Sequence, residues 1–328
     1  MLRTALPELG QIQDPVRDRL GRLDQVLHQL VADEFELIDE VNDYLLLKRG
    51  KLFRPTLLLL SNQVGDKPSS EALLLAAVVE AVHLATLVHD DAVDHSVLRR
   101  GMPTVNSVWG HQIAIIMGDY LYSRSIMEMT RLQRVDVIKV LADAANAMTI
   151  GEMRQLAMHE ALDFTEGDYY QLISAKTASL MSAACELGSM VGDTVYRGRL
   201  KTYGFALGMA FQVVDDILDY AGTADVTGKP SGHDLREHKV TLPLIVALRS
   251  FDYEQRLAVN ALFADPEPDD DLILRVVEAT VAAGGIEYAR NKARAFADEA
   301  LAALDGLPES PSATALAEAV NYTIERQQ

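Results

Sequence analysis

From end to end the chain repeats its apolar residues at helical spacing and almost never alternates them. Stretches at about 15–48, 54–66, 70–93, 108–128, 134–159, 167–191, 195–221, 238–250, 252–264, 270–303 and 312–327 carry the 3.6-residue period. Alternating runs closed by Asn-Gly or Asp-Gly turns, the mark of a hairpin, are nearly absent. The pattern predicts an all-α fold, a bundle of ten or more helices. The acidic stretch at 265–271 and Leu307-Pro308-Glu309-Ser310-Pro311 interrupt it without the length of a linker, so residues 1–328 are read as a single domain. With 328 residues, 49% of them hydrophobic, the chain can bury a large core.

Two acidic blocks stand inside this apolar, helical background: Asp90-Asp91-Ala92-Val93-Asp94 and Asp215-Asp216-Ile217-Leu218-Asp219. Each reads DDxxD. Residues four apart lie on one helix face, so Asp90 points with Asp94, and Asp215 with Asp219. Carboxylates ~4 Å apart repel by about 1 kcal/mol in water and by several times that when partly buried. Hard divalent cations relieve this. Mg²⁺ takes oxygen ligands and bridges carboxylates to phosphates. One such block alone reads equally well as a solvated acidic face. Two copies in apolar surroundings, each followed by a basic loop, favour an anion held through metals. Helices between the copies would let the two faces meet across a bundle core.

Basic residues are placed to complete such a site. Gly50-Lys51-Leu52-Phe53-Arg54-Pro55 sets two cations at a loop-to-helix junction, where phosphates bind well. His83 lies two turns before Asp90 on the same face, and Gln212 shares the face of Asp215. Arg99 and Arg100 offer forked donors. Lys176 and Thr177 lie in a helical stretch, and Lys229 and Lys239 lie in the Gly- and Pro-containing segment after the second block. Singly, each fits a core histidine or a surface cluster as well. Together they divide into two sets. Lys51, Arg54, His83 and Arg100 serve one anion; Arg99, Lys176, Lys229, Lys239 and metals serve another. Two anion subsites imply two substrates.

The formal charge of −18 argues against nucleic-acid and polybasic membrane binding. It also requires local cations or metals to reverse the field at an anion site. The lone Cys185 excludes an intrachain disulfide and cysteine-based metal motifs. The first residues lack an apolar signal core, and the apolar run 72–88 is interrupted by Glu80 and His83. A cytoplasmic protein without stable membrane insertion is expected.

These residues resemble the trans-isoprenyl diphosphate synthases, or polyprenyl synthetases, over nearly the whole chain. The likeness runs through GKLFRP at 50–55, HLATLVHDDAVD at 83–94, RRGMPTVN at 99–106, GDYL at 118–121, KT at 176–177, FQVVDDILD at 211–219 and GKPSGHDLREHK at 228–239. The resemblance implies an all-α fold around a large central cavity, and a homodimer. It implies Mg²⁺-dependent condensation of isopentenyl diphosphate with an allylic diphosphate, with three Mg²⁺ per site. Position by position, Lys51, Arg54, His83 and Arg100 match isopentenyl diphosphate contacts. Arg99, Lys176, Thr177, Gln212, Lys229 and Lys239 match the allylic side. Asp90, Asp94 and Asp215 match direct metal ligands, while Asp91, Asp219, Asp216 and Asp234 support the metals or their waters. Asp90, Asp94, Arg99, Lys176, Asp215 and Lys229 would carry the catalysis. Arg49 stands where the family often has a second glycine, and Ala92 is smaller than usual; neither removes a charged contact.

Short-chain members of the family tend to carry bulky aromatics where this chain has Ala85 and Thr86. Ala77, Ala81 and Ala85 form a ladder of small residues roughly 12 Å long. Read as a tunnel wall, the ladder predicts an all-trans product of roughly C30 to C50; close helix packing explains it equally well. Met117 or Met148 could close such a tunnel and give the shorter C15 to C20 product. A class I terpene cyclase binds one diphosphate, which the second DDxxD argues against. Non-catalytic synthase subunits usually lack the acidic motifs kept here.

Overall fold

The computed structural model describes residues 8–47, 50–156, 163–221 and 232–325, and the helical period is realised through most of them. In chain order the elements are α1 (Leu9–Gln13), α2 (Arg17–Val31), α3 (Glu36–Leu47), α4 (Phe53–Asn62) and α5 (Glu71–Val93). A small hairpin, β1 (Leu98–Arg99) and β2 (Met102–Pro103), precedes α6 (Val105–Trp109), α7 (His111–Thr130) and α8 (Val135–Leu156). Next come α9 (Glu166–Ile173), a π-helical turn at Ser174–Ala178, α10 (Ser179–Met190) and α11 (Arg197–Ala221). The chain closes with α12 (His233–Arg236), α13 (Leu242–Ala247), α14 (Tyr253–Ala264), α15 (Asp270–Ala282), α16 (Gly285–Ala303) and α17 (Pro311–Glu325).

Two helices are apolar nearly all round, which makes them core helices. α5 packs against α2, α4 and α7, and α10 against α4, α8 and α11. By length and composition α5 does match a membrane span, contrary to the sequence expectation, but 67% of its most apolar window is buried inside the bundle. The first half of α11 (Leu200, Tyr203, Leu207) joins the larger apolar cluster with α2, α4, α5 and α10. Its second half (Val213, Val214, Ile217) joins a second cluster with α9 and α13–α16. The second acidic block therefore sits within the second cluster, between Val214 and Tyr220.

The elements depart from the expected ones at several points. The stretch 15–48 is two helices, because α2 stops at Val31. Its last carbonyls are taken by distant donors: Arg124 Nε to Leu30 O at 2.9 Å, Asn42 Nδ2 to Val31 O at 2.7 Å and Tyr120 Oη to Val31 O at 2.9 Å. The stretch 270–303 breaks at Gly284, whose φ is +79°. The stretch 238–250 becomes helical only at Leu242. The loop after the first acidic block holds a hairpin that no Asn-Gly signalled. Its turn is Arg100-Gly101, with φ of +52° and +73°, as a type I′ turn requires. The acidic stretch at 265–271 is a connection as expected, and Asp269 within it caps α15, its carboxylate accepting from Leu272 N at 2.6 Å.

Candidate functional site

A cavity of about 1120 Å³ opens among α4, α5, α8, the π-turn, α11 and α17. α5 lines it with Glu80, His83, Thr86, Leu87, Asp90 and Asp94, the three-and-four spacing of one helix face. α11 lines it with Phe211, Gln212, Asp215 and Asp216. The two acidic blocks thus face one cavity. Lys239 reaches the first of them: its Nζ lies 3.5 Å from Asp94 Oδ2 and 2.6 Å from Glu237 Oε2.

These acids are held against their solvation preference. Burial pushes the Asp90 carboxyl up to about 6, against the pull of Lys176 and with the push of Glu152 and Asp94. Burial also raises Asp216, although Tyr169 and Gln212 bond to it. Asp234 is raised by burial and by Asp216 and Asp219. Crowded, half-desolvated oxygen donors of this kind fit a hard divalent cation. Among the described residues no three acidic or metal-ligating side chains converge on one point. Mg²⁺ keeps its waters and takes one or two carboxylates together with phosphate oxygens. Asp90, Asp94 and Asp215 are the residues that could hold it.

Asp91 and Asp219, also read as metal residues, do not line this cavity. Asp91 is buried and accepts Arg99 Nε on both oxygens at 2.8 Å. Arg99 is correspondingly tied to Asp91, and it is not on the cavity wall. Asp219 caps α12, accepting His233 N at 3.0 Å and Asp234 N at 3.1 Å. Lys229 lies outside the described residues.

Lys51, Arg54, His83 and Arg100 gather at a second region of the same cavity. Leu52, with φ of +50°, turns the chain into α4 at a cost of about 1 kcal/mol. Gly50 lets Arg100 lie against the backbone: a Cβ there would be 2.8 Å from Arg100 Nη1. Arg54 Nη1 donates to His83 Nε2 at 3.1 Å. Burial, then Arg54 and Arg100, push His83 well below its ordinary value, so it is a neutral acceptor that orients Arg54. Arg54 Nε is buried without a partner, which costs about 1–3 kcal/mol unless an anion or water takes it. Lys51 Nζ meets Tyr322 Oη of α17 at 3.2 Å. Between this region and α11, Phe53 stacks on Phe211 with ring centroids 5.8 Å apart.

Lys176 and Thr177 sit in the π-turn, a local widening of the helix that recurs at functional sites. The turn is wedged between two glycines. A Cβ at Gly151 of α8 would lie 2.8 Å from Ala175 Cβ, and one at Gly208 of α11 would lie 2.6 Å from Ala178 Cα. Thr177 Oγ1 donates to Gln212 Oε1 at 2.7 Å, and Gln212 Nε2 donates to Asp216 Oδ1 at 2.8 Å. Tyr169 Oη donates to Asp216 Oδ2 at 2.5 Å. Thr177 and Gln212, read as diphosphate contacts, are thus also wired to the second acidic block.

Of the three product-length candidates, Thr86 lines the cavity. Ala81 and Ala85 are in the packed core, 0% and 3% exposed, so the small-residue ladder is close packing rather than cavity wall. Met148 lines the cavity, with Leu87, Leu156, Leu172, Ile173 and Leu180. Met117 packs apart from it, with Val41 and Val88. Sequence reasoning missed Tyr169, Gln155 and Tyr322, each a single polar group in an ordinary helical pattern with no local signal.

Comparison with known proteins adds four findings. A family model described as Polyprenyl synthetase matches residues 35–280. The octaprenyl diphosphate synthase of Escherichia coli (strain K12) is 35% identical over 94% of this chain and 96% of its own length. The all-trans-nonaprenyl-diphosphate synthase (geranyl-diphosphate specific) of Rhodobacter capsulatus is 34% identical over 96% and 97%. Among solved structures, the polyprenyl synthase of Caulobacter crescentus CB15, complexed with calcium and isoprenyl diphosphate, superimposes with a TM-score of 0.92, 29% identity and full coverage of both chains.

Proposed function

The chain belongs to the polyprenyl synthetase family, and from its site we infer a trans-prenyltransferase that adds isopentenyl diphosphate to an allylic diphosphate and builds a long all-trans polyprenyl diphosphate. The observation that carries this reading is a single cavity with two acidic blocks and a separate cluster of Lys51, Arg54, His83 and Arg100. One diphosphate needs only the first arrangement; two substrates need both. The octaprenyl and nonaprenyl relatives fall inside the expected range of roughly C30 to C50, and they weigh against a C15 to C20 product.

In this reading Asp90, Asp94 and Asp215, supported by Asp91, Asp216, Asp219 and Asp234, would hold the Mg²⁺ ions, three by family resemblance, on the allylic diphosphate side. Mg²⁺ bound there would supply neutralisation of the charge that grows on the diphosphate as its C–O bond breaks and leaves an allylic cation. Lys176, Lys239 and Lys229, with Arg99 once released from Asp91, add donors on that side. Arg54, oriented by His83, joins Lys51 and Arg100 to hold isopentenyl diphosphate so that its double bond faces the allylic carbon. Attack joins the two carbons, and the departed diphosphate takes the proton that restores the double bond. The apolar lining, Phe53, Phe211, Leu87 and Met148 among it, keeps water from the cation. Thr86 and Met148 are the lining residues we assign to product length.

We further propose one catalytic domain over residues 1–328, a homodimer and a cytoplasmic location without stable membrane insertion. Exposed Ile115, Ile116 and Met127 on α7 and Ile150 and Met153 on α8 support the dimer. The burial of α5 inside the bundle supports the last point. The test is product analysis with purified protein, Mg²⁺, radiolabelled isopentenyl diphosphate and several allylic primers. Labelled long-chain product is expected from the chain alone. Cyclised primer without label, or no activity until another subunit is added, overturns the reading.

A further inference from the structure

Resting on the prenyltransferase reading, we propose that Gly151, Glu152 and Gln155 of α8 form a cradle that aims Lys176 at the leaving diphosphate, with Glu152 and Gln155 as positioning residues. An ammonium group has three N–H donors. Glu152 Oε2 forms an ion pair with Lys176 Nζ, and Gln155 Oε1 accepts from it at 2.9 Å. Gln155 therefore takes one of the three donors, and the ion pair with Glu152, whose Oε2 accepts no hydrogen bond, holds the ammonium against α8. The remaining donors are left for the cavity, which Lys176 and Gln155 line. The pair is largely shielded, with side-chain exposures of 26% for Lys176 and 19% for Glu152.

Gly151 makes the approach possible. A Cβ there would meet Ala175 Cβ at 2.8 Å and Lys176 Cγ at 3.2 Å, so any larger residue lifts the lysine stem off α8. On the far side of the π-turn, Gly208 admits Ala178 in the same way. The bulge is thus held from both sides, and the lysine it carries is held at its tip. An unrestrained lysine would give up its rotamer freedom when the diphosphate binds; here folding has already removed that freedom. The Glu152 carboxylate offsets part of the lysine's charge, so its contribution is direction rather than attraction.

The experiment compares wild type with Glu152→Gln, Gln155→Leu and Gly151→Ala, alone and with Lys176→Ala. It measures KM for each substrate, kcat, the melting temperature, and the rise in melting temperature caused by Mg²⁺ with inorganic pyrophosphate. Each single variant should raise the allylic KM or lower kcat about tenfold, leave the isopentenyl KM within about twofold, and blunt the pyrophosphate shift. Added to Lys176→Ala, Glu152→Gln should cost nothing further. An equal cost in that background, or parallel changes in both KM values with a lower melting temperature, overturns the cradle. Inactive wild type overturns the prenyltransferase reading instead, and the pyrophosphate shift still reports on the cradle.

Discussion

Replacing Tyr169 with phenylalanine removes one oxygen from the centre of the second acidic wall. Burial and the Asp216 carboxylate push that phenol well above its ordinary value, so it acts as a donor at any working pH. It is 1% exposed and its acceptor Asp216 is 4% exposed. Asp216 is raised to about 7, and above that pH, where it is ionised, a hydrogen bond to it contributes about 1.5–3 kcal/mol. In the variant Asp216 keeps Gln212 Nε2, at 2.8 Å, as its side-chain donor among the described contacts. Unfolding entropy near 2 cal/mol/K per residue gives about 0.7 kcal/mol/K for a chain of this size, so Tyr169→Phe should melt about 2–4 °C lower. Scanning calorimetry of the metal-free protein measures this. Energy lost from the fold is not lost again in catalysis, but a loosened Asp216 also frees Gln212 and Thr177. The allylic KM should therefore rise while the isopentenyl KM holds. Thr177→Val cuts the same chain at its other end, so the double variant should cost less than the two singles together. Wild-type melting and kinetics in Tyr169→Phe, or strict additivity in the double variant, would refute the coupled chain.

Three further outcomes are expected. Gly50→Ala places its Cβ 2.8 Å from Arg100 Nη1, the end of a flexible side chain, so the fold should keep its melting temperature while Arg100 is displaced and the isopentenyl KM rises about tenfold. Asp90, raised to about 6, should stabilise the metal-free protein fully below its unfolded value near 3.8 and lose that contribution as pH rises through 6. Asp90→Asn should then be more stable than wild type to urea at about pH 8 and match it at about pH 3, and a less stable variant at the higher pH would contradict the burial argument. Because no three acids converge on one point among the described residues, Mg²⁺ alone should bind weakly and pyrophosphate should tighten it; calorimetric titration showing equal Mg²⁺ affinity with and without pyrophosphate would count against shared coordination.

Much of the site was legible because its grammar is local. A three-and-four spacing puts His83, Asp90 and Asp94 on one face whatever surrounds them, and that face lines the cavity. The same period announced the helices, and a DDxxD in each of two apolar runs announced the acidic walls. Local signals were overlooked as well: Gly284-Gly285 marked the break in 270–303, with Gly285 so close to Pro243 that a Cβ would fall 2.3 Å from its carbonyl oxygen.

What remained hidden depends on partners far away in the chain. No local breaker stands at Val31; the terminal carbonyls of α2 are taken by Asn42, on the next helix, and by Tyr120 and Arg124 of α7. DDxxD does not say which carboxylate turns away from the cavity, and Arg99 and the start of α12 decided that for Asp91 and Asp219. The alanine ladder looked the same as tunnel wall or helix contact until its neighbours were in place. The sequence by itself determined the helices, the apolar face of each and the charges that had to be neutralised, since periodicity and charge type are properties of a short segment. Only the tertiary structure decided which charge neutralises which, because a hydrogen bond such as Tyr169 to Asp216 forms when packing brings its two ends within about 3 Å, and no stretch of sequence contains both helices' positions.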